Sequence, residues 1–582
     1  MRAKIRSMSD HSIIQKESVF GQPMFGLDIK ELISDDLRNP LVAPHLEFVP
    51  EEAHGSNIYK LSQSAKWLKH LDSDLRVQMV EENNKHFYIF EPVQLKNCDI
   101  IIPVFFHTEN EKLHAKCYTP KIKSNTNHSK LEIHIAHKIS FDDPCLKTLS
   151  VDKFSLIYEE IKLNDGAKLS ECCGDFMIEE ESDSKIPLPN PWRQKANKKI
   201  LRHVPINLYC DDTSGNKSKK WNKHICYYFT LSGLPPKISN QQFNCHFLCT
   251  SNIAGPLELG EMVVEQLNDT ATNGFVAYDS TLGQEVHVMT SILCFLADSP
   301  MHAEITNTHV PGNALNSCRC CTLKSETLIA RQKIPYLAQF TQKKSNGADC
   351  PNPLRTMEET KQNSKKLWTE TKKTLTLEKL RVESSKLAVQ DQLNLKFSKQ
   401  VFDFQAEKIS LVARGEELPT HMEQDIPQKL VDMEDKEPKR MFNPYLELKG
   451  FDTVKDTPVE VLHNIQSALN VQHDCQRGEC KLTETEFTTV ERQKSSTHKK
   501  LELEHTNDGR YIINLASLSS VNDHRRFSKV LILRPGPLQW VNALHDGLEK
   551  WRTCAEKKQK RARNKTSTSA AKKIRLDPDL LE

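Results

Sequence analysis

An α/β layer fold interrupted by a block of helices is what this 582-residue sequence predicts, and three observations predict it. Two strand-like runs, 203–210 with Val204, Ile206 and Leu208 alternating and 225–231 (ICYYFTL), precede a stretch from 256 to 271 with Leu259, Met262, Val263 and Leu267 at helical spacing. A long apolar segment, 285–297, then runs into Asp298, Ser299 and Pro300, where Ser299 as N-cap and Pro300 in the first turn begin another helix. Strand, strand, helix, strand or helix, then helix is the order of a layered α/β unit. Third, residues 357–415 turn to Lys, Glu, Gln, Leu and Ser with few β-branched side chains. Leu387, Leu393, Phe397, Val401, Phe404 and Ile409 recur there at spacings of three to six, so the block reads as an all-helical insertion.

The remaining elements follow in order. Residues 1–38 are polar and short of aromatics and read as a disordered leader. Residues 39–195 read as a mixed α+β region, with strand-like runs at 86–90 (HFYIF) and 99–106 (DIIIPVFF). PLPNPW, 187–192, acts as a stiff hinge because each proline fixes its own φ and biases the residue before it. The central core with its C-x-x-C spans 196–335 and the helical insertion 357–415. A Glu/Asp/Pro-rich linker, 416–440, leads to a C-terminal module, 441–548, with short strands at 511–515 and 530–533 and a helix at 540–551. A basic disordered tail, 549–582, closes the chain.

Composition narrows the function classes. The longest apolar stretch runs ten residues, 288–297, about half of the roughly 20 that span a bilayer, so no membrane partner is expected. The basic start lacks an apolar stretch behind it, so an intracellular site is expected, with the 17 cysteines reduced and better suited to metal than to disulfides. Net charge is only +3, but from 550 to 575 eleven Lys or Arg face one acid, Glu556. Two clusters make up most of this arm: Lys557, Lys558, Lys560, Arg561 and Arg563, then Lys572, Lys573 and Arg575. Such clusters engage nuclear import receptors and neutralise phosphates, which points to the nucleus and to nucleic acid. No P-loop, G-x-G-x-x-G or G-x-S-x-G motif supports nucleotide hydrolysis, dinucleotide redox or serine hydrolase chemistry.

Two constellations carry chemistry. Asp211 ends a predicted strand and Asp298 ends a second apolar segment 87 positions later. Carboxylates converging from strand ends suit a hard cation such as Mg²⁺ in phosphoryl transfer; the alternative is a pair of turn residues. Cys318 and Cys321 form a C-x-x-C around Cys320, a bite suited to Zn²⁺ that needs two further ligands. His302, His309 and His463 are candidates, and two buried thiols are the alternative. A weaker cluster holds His473, Cys475 and Cys480.

The strings themselves add a resemblance. LYCDDTSGNKSKKWNKHICYYFTLSGLPPK (208–237), NCHFLCTSN (244–252), FLADSPMHAEITNT (295–308), CRCC (318–321) and DTPVEVLH (456–463) resemble the Plavaka-type transposases of fungal mobile elements, relatives of the CACTA group of cut-and-paste DDE transposases. The likeness extends upstream to NPLVAPHLEFVPEEAHGSNIYKLSQSAKWLKHL and FEPVQL, covering most of 39–325 and returning after about 440. It implies a ribonuclease-H-like core with a helical insertion, in which three acids hold Mg²⁺ to cut DNA ends and join them to a target. Asp211 aligns with the first acid and Asp298 with the second. Cys318, Cys321 and His463 align with a C-x-x-C and later histidine that brace the insertion through zinc. Here HNIQSALNVQHDC passes almost at once into the C-terminal region, so an internal block is lost and the third acid is unidentified; Glu460 and Glu484 are the substitutes on offer. The resemblance thus implies a nuclear, transposase-derived protein that binds DNA, the element termini in particular, with an incomplete strand-transfer site and with room for a homo-oligomer. The alternatives are an active Mg²⁺-dependent transposase or endonuclease, and a non-catalytic, zinc-stabilised nuclear scaffold.

Overall fold

The computed structural model describes residues 11–458 except 56–57, 126–129, 183, 215–222, 312–313, 317, 333–335, 337–351, 374–375, 420–421 and 423–425; beyond them it describes 504–505, 511–513 and 531–533. The fold is mixed α/β. Its main sheet has six strands: β1 (Ile13–Glu17), β2 (Pro23–Leu27), β3 (Ile206–Ser214), β4 (Lys223–Leu231), β5 (His246–Ser251) and β6 (Ile292–Leu296), in the order β1-β2-β5-β4-β3-β6. Every neighbouring pair is antiparallel except β3 and β6, which run parallel.

Alternation decides the two faces. Ile206, Leu208 and Cys210 of β3 and Tyr227, Phe229 and Leu231 of β4 point into the core, where none is exposed. Helix α1 (Ile29–Arg38) follows the β1–β2 hairpin and buries Ile29, Ile33 and Leu37. Helix α2 (Pro256–Thr272) starts with proline in its first turn and with Glu258 accepting from the Gly255 amide at 3.2 Å. It lays Leu259, Met262, Val263 and Leu267 into the core. Gly26 of β2 makes room for it: a Cβ there would stand 2.7 Å from Met262 Cε.

The expected leader is therefore a structural element from residue 11 onward, contrary to the sequence reading. An edge hairpin needs apolar residues on one face only, and its pairing with β5 at Phe25–Thr250 and Gly26–Cys249 is remote in sequence. The apolar segment 285–297 resolves into two strands broken at Thr290 and Ser291. Gln284–Met289 joins Phe275–Asp279 and Leu201–His203 in a three-stranded sheet, and the rest is β6. The next helix, α3 (Ser299–Ile305), is capped by Asp298 rather than Ser299: its carboxylate accepts from the Met301 amide at 2.9 Å.

The insertion is helical as expected: α4 (Met357–Lys373), α5 (Leu377–Leu387) and α6 (Gln392–Ala413). Phe397 and Val401 of α6 enter the main core, whereas Ile409 is exposed. Asp391 caps α6 and, fully buried, also accepts from Asn307 Nδ2 at 3.0 Å and the Asn443 amide at 2.9 Å, tying the insertion to both flanks. The expected linker 416–440 holds a helix, α7 (Gln428–Lys436), and buries Leu430; an acidic surface around one apolar stripe disguised it. Tyr445 and Phe451 then pack on Phe295 of β6, at ring-centroid distances of 5.2 and 6.3 Å. The Phe295 amide donates to the Asp456 carbonyl at 2.8 Å, so the returning chain runs beside β6.

Residues 39–195 are richer in β structure than the expected mixture. A five-stranded and a four-stranded sheet and the hairpin Met79–Glu82/Lys85–Tyr88 dominate, with Leu169–Cys172 and Pro191–Ala196 as short helices. Both strand-like runs are strands, Lys85–Tyr88 and Ile100–Glu109. In the C-terminal module, Glu504–His505, Tyr511–Ile513 and Leu531–Leu533 pair antiparallel, agreeing with the two strands read from sequence. The expected helix at 540–551 and the tail lie outside the described residues. Among the described residues no helix is long and apolar enough to cross a membrane.

Candidate functional site

The parallel register of β3 and β6 pairs Tyr209 with Leu296. Two residues past that pair come Asp211, which lies within β3 three positions short of its end rather than ending the strand as the sequence suggested, and Asp298, which stands two residues beyond β6 and caps α3; the charges of both act on Tyr209. Both are partly buried. The Tyr209 hydroxyl donates to Asp211 Oδ2 at 2.8 Å, and Asp211 Oδ1 accepts from the Asp212 amide at 2.7 Å. Burial raises the Tyr209 pKa first, and its bond to Asp211 and the charges of Asp211 and Asp298 raise it further. Tyr209 thus senses both carboxylates and stays protonated, able to donate. The sequence reading did not single it out, although strand alternation places i and i+2 on one face.

Mg²⁺ commonly takes one or two carboxylates and completes its octahedron with water and substrate phosphate. Two carboxylates whose charges both act on Tyr209, Asp211 steadied by that phenol and Asp298 by the Met301 amide, fit that demand. Among the described residues no three His, Cys, Asp or Glu side chains form a group that could hold a metal ion. Glu460 and Glu484 lie outside the described residues.

The cysteine turn is pinned by Arg355. Its Nε donates to the Cys318 and Cys321 carbonyls, both at 3.1 Å, and its amide to the Cys320 carbonyl at 3.0 Å. A further guanidinium nitrogen donates to the Ala388 carbonyl at 2.8 Å, which anchors the turn to the end of α5. Hydrogen bonds from the Cys320 and Cys321 thiols lower the Cys318 pKa, and the same bonds raise their own.

The two described histidine candidates are engaged elsewhere. His302 Nε2 lies 3.0 Å from the Phe295 carbonyl, and His309 Nε2 lies 3.0 Å from Ser384 Oγ. Burial, aided by Arg355, pulls the His309 pKa down to about 4. His463 lies outside the described residues, as do His473, Cys475, Cys480 and every tail cation from Lys557, Lys558, Lys560, Arg561 and Arg563 to Lys572, Lys573 and Arg575. A wide cleft lined by Lys66, Arg76, Trp192 and Asp456 includes neither Asp211 nor Asp298.

Residues 79–202 match the family model described as Domain of unknown function (DUF8591), and residues 352–530 match Domain of unknown function (DUF8590). The first match falls on the N-terminal β region and its hinge; the second begins just before the helical insertion and continues past it. No curated protein matches the chain.

Proposed function

We propose that this chain is a transposase-derived nuclear DNA-binding protein built on a ribonuclease-H-like core, with a strand-transfer site reduced to a carboxylate pair. Two carboxylates whose charges both act on Tyr209, one within β3 and one just past its parallel neighbour β6, carry the reading. The strand order β5-β4-β3-β6, with β6 parallel to β3, supports it; helix α2 and the strands Phe275–Asp279 and Gln284–Met289 come between β5 and β6 in the chain. Asp211 and Asp298 would hold Mg²⁺, which when bound supplies Lewis-acid polarisation of a phosphodiester oxygen. Tyr209 orients the Asp211 carboxylate through its hydroxyl, and the Met301 amide steadies that of Asp298.

Mn²⁺ binding, followed by electron paramagnetic resonance as a stand-in for Mg²⁺, tests the pair. Asp211→Asn is expected to weaken it by at least about tenfold. An unchanged isotherm removes the site. Rapid Mg²⁺-dependent nicking of duplex DNA that disappears in Asp211→Asn would instead favour the active transposase or endonuclease.

Cys318 and Cys321, with His463, form the proposed zinc brace, and the cysteine turn that Arg355 pins supports it. Purified chain is expected to carry one zinc that Cys318→Ser with Cys321→Ser abolishes; equal stoichiometry in both proteins discards zinc and, with it, the scaffold alternative. The basic tail serves DNA and an import receptor in this reading. Deleting 550–582 is expected to weaken duplex binding and flatten its dependence on salt, because fewer counterions are released. An unaltered slope would deny the arm a role in binding.

A further inference from the structure

A cleft of about 1300 Å³, without Asp211 or Asp298 in its lining, lies where the N-terminal β region, the hinge and the returning chain meet. Its apolar lining comes from all three: Phe90 and Ile139, then Ile186 and Trp192, then Leu448 and Phe451. Gly450 fixes one wall. Its φ of +66° is one that other residues rarely adopt, and a Cβ there would collide with Leu75 Cδ1, so the returning chain presses directly on the turn that carries Arg76. A space of this size with apolar walls and a few placed polar groups suits a small organic molecule.

Arg76 gives the cleft its receptor. Its guanidinium carbon lies 3.8 Å from the centre of the Phe105 ring, and its Nε donates to the Leu71 carbonyl at 2.9 Å. Among the described residues its two terminal nitrogens have no hydrogen-bond or ion-pair partner, although Asp72 and Asp74 attract it without pairing with it. Burial pulls its pKa down to about 10, so it keeps its proton at neutral pH while having lost much of the water that would solvate it. A guanidinium clamped on one face and at one edge keeps a planar fork free, the group that grips an oxyanion through two parallel bonds. The other charges set the valence. Lys66 pairs with Asp456 at 2.7 Å, Lys69 with Asp142 at 3.0 Å, Lys455 with Asp452 at 3.5 Å and His137 with Glu179 at 3.0 Å. Of the remaining Lys, Arg, Asp and Glu in the lining, Arg76, Lys138 and Lys195 stand against Asp72 and Asp74, an excess of one positive charge.

We propose that this cleft binds a small organic monoanion, its apolar body among Phe90, Ile186 and Phe451 and its carboxylate or phosphodiester oxygens on the terminal nitrogens of Arg76. The site stands apart from the DNA reading. A single excess charge matches one such head, whereas a duplex would demand a run of unpaired cations to meet its row of phosphates. A neutral apolar ligand would leave Arg76 covered and without a counter-charge, the costlier arrangement.

Isothermal titration calorimetry of the full chain with naphthoate, dibenzyl phosphate and the neutral naphthamide tests it. At least one of the two anions is expected to saturate at one per chain and to bind about tenfold or more tighter than the amide, the tighter of the two naming the head. Arg76→Lys keeps the charge but loses the fork, and is expected to weaken that anion about tenfold. Lys138→Glu, at an exposed position that leaves the fold alone, turns the excess charge negative and is expected to weaken the anion about two- to fivefold while binding of the amide holds. Circular dichroism identifies a variant that fails to fold; should Arg76→Lys do so, Lys138→Glu decides alone. Failure of both anions to saturate overturns the site. So does amide affinity equal to that of the anions, unchanged anion affinity in Lys138→Glu and in folded Arg76→Lys, or displacement of the bound anion by a duplex oligonucleotide.

Discussion

Glu91→Ala is expected to destabilise the fold by about 3–5 kcal/mol, because it strands a buried guanidinium. Glu91 is 1 % exposed and receives Arg193 through two nitrogens, at 2.9 and 2.6 Å, together with the Asn190 amide at 2.9 Å. Arg193 also covers the Tyr88 ring at 4.5 Å and donates to the His86 carbonyl at 3.1 Å. Burial alone would lower the Arg193 pKa, but Glu91 outweighs it and the net shift is upward. The pair fastens the N-terminal β region to the PLPNPW segment, whose Asn190 caps the helix Pro191–Ala196. Urea unfolding followed by circular dichroism checks the effect. A loss below about 1 kcal/mol would place this contact among ordinary surface ion pairs.

The second large effect concerns Lys66 and Asp456, whose charged atoms lie 2.7 Å apart with side chains only 15 % and 9 % exposed. Burial pulls the Lys66 pKa down and pushes that of Asp456 up, each against the attraction of its partner. The pair is costly to bury and costlier to break. Asp456→Ala or Lys66→Met alone is expected to lose about 3–5 kcal/mol, whereas the double variant is expected to lose much less than the sum. The pH profile follows with defined sign. Asp456 holds its proton more tightly in the native chain, so stability declines as pH rises between its unfolded and folded pKa values. Lys66 releases its proton more easily there, so stability recovers between its folded and unfolded values. The double variant should flatten both limbs, and additive single effects would refute the coupling.

What the sequence made legible depended on how local the cause was. Strands β3 and β4, helix α2 and the insertion helices announce themselves through spacing within ten to twenty residues. Strands β1 and β2 did not, because Ile14 and Met24 face the core while Ile13 and Phe25 are apolar and exposed on the other side, which blurs the alternation, and β5, the partner of β2, is over two hundred residues away. Helix α7 was hidden in the same way, with Leu430 carrying the burial among acids. For the site, each carboxylate was read as a strand-end acid, but Asp211 lies inside β3 and Asp298 caps α3, and that both act on Tyr209 depends on the β3–β6 pairing, which composition does not report. The thiols are neighbours in sequence and were found as such. Whether His302 and His309 join them was decided by the packing of α3 and α5, which directs both rings to other partners.

The hairpin at residues 13–27 bears on how the chain can be shortened. A fragment starting at residue 39 would leave the backbone of β5 unpaired along an apolar margin, with the pocket for Ile29 and Ile33 empty. Such a margin recruits strands from other molecules, so early proteolytic nicking or a downstream start site would yield an aggregating product rather than a smaller working one. Expression trials for this protein should therefore trim from its far end and keep the first forty residues.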